Sequence, residues 1–264
     1  MKDVDPKRPD DLDPIAIAML EDLQSHPEAQ HLVLGGGFAL KHYHSFRPTF
    51  DIDAWWTQNS SQSQRNETID RLRSVARDVA TEYGLDFKER ARASSDVISL
   101  ELSRSGAKTF SFQVAPRSIE LDAPLVDRSP WTPIPIETLR DNVASKMTAL
   151  VGRGAPRDFQ DLYALTSSAI VTIDEAWALW ESKNPGLSVD AAKAQVVKRL
   201  ESIELRRPIE TVPAELQDAV AESRRWVREE FAQPSFIAEL QREAATDSDV
   251  ERNPDRDRDE ELEL

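Results

Sequence analysis

The 264-residue sequence predicts an α/β (α+β) protein in which a small mixed sheet with flanking helices is followed by a helical domain. Two patterns and the break between them carry this reading. Between residues 32 and 114, short apolar runs of strand length alternate with stretches of helical period. Beyond residue 135 the apolar residues recur only at helical spacing. Between the two, Pro116, Pro124, Pro130, Pro133 and Pro135 exclude regular helix or a central strand. The expected organisation is a first domain over 1–134, a helical domain over 135–244 and an acidic, disordered tail over 245–264.

In chain order, Asp13 caps a helix that Pro14 opens, and Ile17, Leu20 and Leu23 form its apolar stripe to about His26. Leu32 to Leu34 reads as a buried strand that ends at Gly35, Gly36 and Gly37. Phe38 to Tyr43 follows as a short helix. Phe50 to Trp56 is a strand with Phe50, Ile52, Ala54 and Trp56 on one face and Asp51 and Asp53 on the other. Gln58 to Asn66 reads as a loop, and Ile69, Leu72, Val75, Ala76 and Val79 then mark an amphipathic helix. Leu85 to Glu89, Val97 to Leu102 and Phe110 to Val114 are strands, the last two joined around Ser105 and Gly106. After the proline-rich connector, Leu139, Val143, Met147 and Leu150 lie on one helix, and Pro156 opens another carrying Phe159, Leu162 and Leu165. Ile173 to Trp180, Val189 to Ile203 and Leu216 to Phe231 supply three more.

The formal charge is −15, of which −6 falls between Asp247 and Leu264, where nine acids face three arginines; the remaining −9 argues against a broad basic surface for nucleic acid. An RNA substrate would have to meet a local basic patch; Arg224, Arg225 and Arg228 read as a solvated helix face and, if RNA is the acceptor, as a candidate stripe for it. With no cysteine there is no disulfide, thiolate nucleophile or thiolate zinc site. His26, His31, His42 and His44 lack zinc-ligand spacing and read as ordinary polar residues. No apolar run reaches membrane length, and Met1 to Asp13 is charged with two prolines, so a cytoplasmic protein with no membrane association is expected.

The chemistry is concentrated between Gly35 and Asp53. Three glycines after a strand let backbone amides approach phosphate oxygens. Asp51 and Asp53 share one strand face with Cα atoms about 6 to 7 Å apart, from a rise of about 3.3 Å per residue. Two carboxylates that close repel unless a cation neutralises them, so the segment suits a nucleoside triphosphate held against a hard divalent metal, Mg²⁺ or Mn²⁺. A second block runs from Lys146 to Tyr163. There Lys146 sits beside the apolar face, its stem packed and its ammonium emerging at the edge, while Arg157, Asp158 and Asp161 fall near one helix face. By itself this block reads as a surface ion-pair network; beside the aspartate strand it reads as the other half of a site. Trp55 shares the aspartate face and is placed to stack a base, Trp56 belongs to the core face, and Trp177, Trp180 and Trp226 are packing residues.

Gly36-Gly37-Phe-Ala-Leu through Phe50-Asp51-Ile-Asp53, then Lys146 through Arg157-Asp158-Phe-Gln-Asp161-Leu-Tyr163, resembles the AbiEii/AbiGii nucleotidyltransferase toxin family, over roughly residues 30 to 165. The resemblance implies a polymerase-beta-like nucleotidyltransferase fold and a toxin–antitoxin or abortive-infection toxin that moves a nucleotide from NTP to an acceptor, in some relatives the 3′ end of tRNA. Carried across, it implies metal ligation by Asp51 and Asp53 and a site completed by Lys146, Arg157, Asp158 and Asp161. On the residues themselves, catalytic roles are expected for Lys146 and Asp161, and NTP contacts from Gly36, Gly37, Thr49, Lys146, Arg153 and Arg157. The resemblance also implies a cognate antitoxin partner. Two positions depart from the family pattern. Phe38 stands where the wider fold has Ser or Thr, leaving that phosphate contact to backbone amides or Thr49. Gln113 stands where a third carboxylate is usual, with Glu120 the next acid along. These departures motivate one alternative, a catalytically decayed scaffold that binds nucleotide or protein; the acidic surface, suited to cationic antibiotics, motivates another, a small-molecule nucleotidyltransferase of the antibiotic type.

Overall fold

A computed structural model describes residues 1–90, 96–117 and 119–233. The expected acidic tail, 245–264, lies outside the described residues. The described residues form two compact units, one from Met1–Ala149 with Gln160–Pro185, the other from Leu150–Phe159 with the described residues from Gly186 onward.

The first unit contains α1 (Pro14–Gln24), β1 (Leu32–Gly35), α2 (Gly36–Tyr43), β2 (Asp51–Trp56), α3 (Gln62–Tyr83), β3 (Asp86–Glu89), β4 (Ile98–Arg104) and β5 (Ala107–Ala115). The strands form one mixed sheet in the order β1-β2-β5-β4-β3, with β2 parallel to β5 and every other pair antiparallel. This is the expected class. Asp13 caps α1 by accepting from the Ile15 and Ala16 amides. Ile52, Ala54 and Trp56 on β2, Phe110, Phe112 and Val114 on β5, and Ile98, Leu100 and Leu102 on β4 share a core with α1 and α3. The intervening positions, Asp51, Asp53 and Trp55 on β2, are consequently left on the opposite face.

Three local expectations change. Phe50, assigned to the core face, is 54% exposed, because β2 begins only at Asp51. Residues 58–61 are turn and coil, as expected, but 62–66 are helical: Ser61 and Gln64 form a reciprocal capping box that starts α3 at Gln62, so the later polar side chains mark a helix entrance. The proline-rich connector is not free of the sheet. It runs along the outer edge of β1, where the Leu34 amide donates to the Pro135 carbonyl (2.8 Å) and the Glu137 amide to the Leu34 carbonyl (2.9 Å). Proline is tolerated at an edge because its missing N–H faces away from the ladder. Trp131, Ile134 and Ile136 of this connector are fully buried.

α4 (Leu139–Gly152), α5 (Pro156–Ser167) and α6 (Ile173–Lys183) follow the connector, then α7 (Val189–Arg206) and α8 (Ala214–Trp226). Lys146 on α4, Asp161 on α5 and all of α6 belong to the first unit; α7 and α8 belong to the second. Among the described residues no helix is long and apolar enough to cross a membrane.

Candidate active site

The turn from β1 into α2 is pressed against β2. Gly35 lies opposite Asp53 in the β1–β2 register, and a Cβ on Gly35 would meet the Trp55 indole nitrogen at 2.1 Å. Gly36 adopts φ +62°, and a Cβ there would come 2.4 Å from Asp53 Oδ2. Both positions therefore need glycine for close approach, and Gly36 needs it for its left-handed backbone as well. The amide cradle expected of Gly36 is not on offer, however. Its N–H donates to Glu137 Oε1 (2.8 Å) and its carbonyl accepts from Asn142 Nδ2 (2.8 Å), so Gly36 serves the site by bringing the turn up to Asp53.

Asp51 Oδ1 accepts from Ser111 Oγ at 2.6 Å and from Lys108 Nζ at 2.8 Å. Ser111 and Gln113 on β5 stand beside Asp51 and Asp53 in register, so Gln113 does occupy the neighbouring sheet position that a third carboxylate would take. Among the described residues no cluster of three or more His, Cys, Asp or Glu side chains is arranged as a metal site. Two carboxylates on one strand face still fit Mg²⁺ or Mn²⁺, which fill out their shells with water and substrate phosphates. The Lys108 ammonium on Asp51 shows that this edge of the carboxylate already receives a cation.

Lys146 and Asp161 meet directly, with Nζ 2.6 Å from Asp161 Oδ2. The Lys146 side chain is only 7% exposed, so its ammonium does not emerge at an edge as the helical pattern suggested; it is buried against a fully buried carboxylate. Asp161 also holds Arg47, which donates through Nε (2.6 Å) and Nη2 (3.0 Å) in a two-pronged pair. Burial works to raise the Asp161 pKa, but the Arg47 hydrogen bonds and the Lys146 and Arg47 charges outweigh it and hold the carboxyl below its ordinary value. A Cβ on Gly37 would lie 3.2 Å from Arg47 Nη2, 3.7 Å from Thr49 Oγ1 and 3.8 Å from Lys146 Nζ. Gly36 and Gly37 are consecutive, so Asp53, Thr49, Arg47, Lys146 and Asp161 surround one turn.

Arg47 was missed in the sequence reading. Its signal was position, since Lys41 and Arg47 are the two Lys/Arg residues between the glycine turn and Asp51, and Lys41 is used up by Asp11 (2.7 Å). Glu137 was also missed, because an acid among prolines carries no motif. Glu120, weighed as a substitute third carboxylate, lies in the electrostatic company of Arg117, Asp141 and Lys183; burial first, then Asp141, raises its pKa. Trp56 is 3% exposed and donates to the Asp96 carbonyl (2.6 Å), whereas the half-buried Trp55 directs its indole N–H to Glu137 Oε2 (3.2 Å). The buried His42 bonds the Phe38 carbonyl through Nδ1 (2.9 Å) and accepts the Trp131 indole N–H at Nε2 (2.7 Å); desolvation drives its pKa down to about 4. Phe38 is itself 1% exposed and packs beside His42, so it presents nothing to a phosphate.

Arg153 and Arg157 lie in the second unit. There Arg153 pairs with Asp158 through Nε and Nη2, both at 2.9 Å, and the Ala155 amide donates to the same carboxylate at 3.2 Å. Asp158 thereby fixes the entrance of α5. Arg224, Arg225 and Arg228 line an open groove of about 350 Å³ in the same unit together with Glu204 and Glu229, and Arg228 is paired with Glu204.

Comparison with curated proteins gave no match. Comparison with protein families matched residues 18–260 to the family described as "Nucleotidyl transferase AbiEii toxin, Type IV TA system". That match spans the sheet, the glycine turn, the aspartate strand and the helices that carry Lys146 and Asp161. The chain belongs to the AbiEii family of nucleotidyl transferases, toxins of type IV toxin–antitoxin systems.

Proposed function

We propose that this nucleotidyl transferase moves an NMP from an NTP to the 3′ end of an RNA, a tRNA being the favoured acceptor, and that it acts in the cytoplasm opposite a cognate antitoxin. The observation that carries this reading is the convergence of Arg47, Thr49 and Lys146 over Gly37, one residue from the Gly36 contact with Asp53. One carboxylate, Asp161, holds both cations there, beside a two-aspartate edge. That is the charge pattern a metal-bound triphosphate needs.

In this reading Asp51 and Asp53 would hold Mg²⁺ or Mn²⁺, which would supply neutralising charge for the triphosphate and the pyrophosphate leaving group. Lys146 and Arg47 face the phosphates from the Gly37 side, with Thr49 as a hydroxyl contact. The acceptor hydroxyl oxygen bonds to the α-phosphorus, the bond to pyrophosphate breaks, and the hydroxyl proton leaves. Asp161 is a poor acceptor for that proton because two cations hold it ionised, so the proton passes to solvent water and Asp161 serves to aim Lys146 and Arg47.

The test is incubation of the purified protein with each of the four labelled NTPs and total RNA, with and without Mg²⁺. One NTP should label RNA only when metal is present. Asp51→Ala and Lys146→Ala should each lower transfer by about a thousandfold, equivalent to about 4 kcal/mol of transition-state stabilisation. Wild-type transfer by either variant removes that residue from the mechanism, and metal-independent labelling removes the two-aspartate edge.

A further inference from the structure

Glu137 is fully buried, and no step above uses it. An ionised carboxylate taken wholly out of water is costly unless its lone pairs are met by donors. Here they are met by donors from three separate parts of the chain, with an ion pair from a fourth. Oε1 accepts from the Gly36 amide (2.8 Å) and Asn142 Nδ2 on α4 (2.6 Å). Oε2 accepts from Trp55 Nε1 on β2 (3.2 Å) and lies 3.0 Å from Arg117 Nη2, just beyond β5. The residue's backbone is pinned as well, its amide to the Leu34 carbonyl at 2.9 Å and its carbonyl to the Tyr43 hydroxyl at 2.7 Å.

Behind Glu137 the charges balance. Arg117 Nη2 also sits 2.6 Å from Asp141 Oδ1, and Lys183 Nζ reaches the same oxygen at 3.1 Å and Ser145 Oγ at 2.7 Å. Two acids and two cations thus form a dry cluster. Burial pushes the Glu137 pKa up and Arg117 and the Asn142 hydrogen bond oppose it, so the carboxylate depends on these partners for its charge. Arg117 Nε, Nη1 and Nη2 make no hydrogen bond among the described residues, so the guanidinium is held only by ion-pair contact of Nη2 with the two carboxylates.

The elements that Glu137 joins are those that build the reaction centre. Gly36 contacts Asp53, Trp55 follows Asp53 by two on the same strand face, and Asn142 lies one helical turn before Lys146 on α4. We propose that Glu137 is a positioning residue for nucleotidyl transfer: by bonding the Gly36 amide, the Trp55 indole and the Asn142 amide together, it sets how closely the glycine turn approaches Asp53 and Lys146. The proposal rests on the reading of Asp53 and Lys146 as parts of one centre. Its test therefore includes measurements that do not need turnover.

Glu137→Gln keeps the size of the side chain but removes its charge and turns one acceptor into a donor facing the Trp55 N–H or the Arg117 guanidinium. Trp55→Phe removes one donor at a half-buried position and spares the ionic cluster. In Glu137→Gln, kcat should fall by about 10- to 100-fold and Mn²⁺ titrated alone should bind about tenfold more weakly, the range in which supporting-shell substitutions act. KM for NTP should stay within about threefold of wild type, since a misaligned centre loses transition-state more than ground-state contacts. The Gly36 amide should exchange hydrogen faster while the global unfolding transition remains cooperative. Trp55→Phe should move the same quantities in the same direction by a few-fold. Wild-type kcat and Mn²⁺ affinity in Glu137→Gln, despite faster Gly36 exchange, would overturn the proposal. Should Glu137→Gln fail to fold, wild-type values in Trp55→Phe would overturn it equally. If the wild-type protein transfers no nucleotide, the functional reading fails, and Mn²⁺ affinity with Gly36 exchange still decides the positioning role.

Discussion

Two acids in the first unit, Asp161 and Glu137, are each fully buried, yet their surroundings push them in opposite directions. Asp161 receives two cations, Arg47 and Lys146, and its carboxyl is held below the ordinary range. Glu137 receives three neutral donors and shares its one cation, Arg117, with Asp141, and burial holds its carboxyl above the ordinary range. Burial alone therefore does not assign a role to an acid. The groups around Asp161 are cations, and Arg47 is still 23% exposed. Neutral donors around Glu137 hold backbone and indole in place and leave no charge over.

Removing Asp161 should give the largest effect. Asp161→Ala strands the buried Lys146 ammonium, and breaking a buried pair from one side costs about 3–5 kcal/mol. Adding Lys146→Met to that variant should recover part of the stability, measured by urea unfolding, and none of the transfer activity. A stability loss below about 1 kcal/mol in Asp161→Ala would show that water reaches the pair and would collapse the contrast with Glu137.

The pH dependence should separate the two acids by sign. A carboxyl with a lowered folded pKa contributes stability that is present above its unfolded pKa and lost as pH falls through its folded pKa. Wild type should therefore exceed Asp161→Asn by most at neutral pH, the gap closing in acid below the ordinary carboxylate range. Glu137 has the raised pKa, so the folded state binds its proton more readily, and stability declines as pH rises from the unfolded value toward the folded one. The stability gap between wild type and Glu137→Gln should narrow over that rise. Parallel slopes for the two variants in urea titrations between pH 3 and pH 8 would mean that both acids sit in equivalent surroundings.

The smallest effects concern the glycines between them. Gly36→Ala faces both a left-handed φ and a 2.4 Å approach to Asp53. Such backbone strain costs about 1–3 kcal/mol. At Gly37 the nearest atom to a Cβ would be Arg47 Nη2 at 3.2 Å, the far end of a side chain that can shift. Gly37→Ala should leave the thermal midpoint within about 2 °C of wild type while raising KM for NTP by a few-fold, because Arg47 must move. A reversed order, with Gly37→Ala the less stable variant, would shift the critical approach from Asp53 to the Arg47 side.

Much of this was legible before any coordinates. Period-two alternation in Ile52, Ala54 and Trp56 follows from a strand with one buried face, so it fixed which way Asp51 and Asp53 point. The glycine run marked a turn, and the Lys146 and Asp161 block marked its partner. What local patterns missed involves distant residues. Arg47 and Asp161 are 114 positions apart, and Glu137 and Gly36 are 101 apart, so no window of sequence contains either pair. Lys146 looked like an edge residue because helical periodicity tells which face it occupies and says nothing of what covers that face. Phe50 was misplaced for a smaller reason, since a strand boundary one residue away removes the alternation on which its assignment depended.

The sequence by itself determined the mixed α/β class, the glycine-to-aspartate order and the residue types that can hold a phosphate and a metal, because these depend on local periodicity and side-chain chemistry. The tertiary structure decided that Arg47 joins Lys146 on Asp161, that Gly36 gives its amide to Glu137, and that proline-rich chain lies along the edge of β1. Those choices depend on which distant groups must share a dry interior. A buried charge or amide is stable only beside a complementary partner, and the fold alone determines which one arrives.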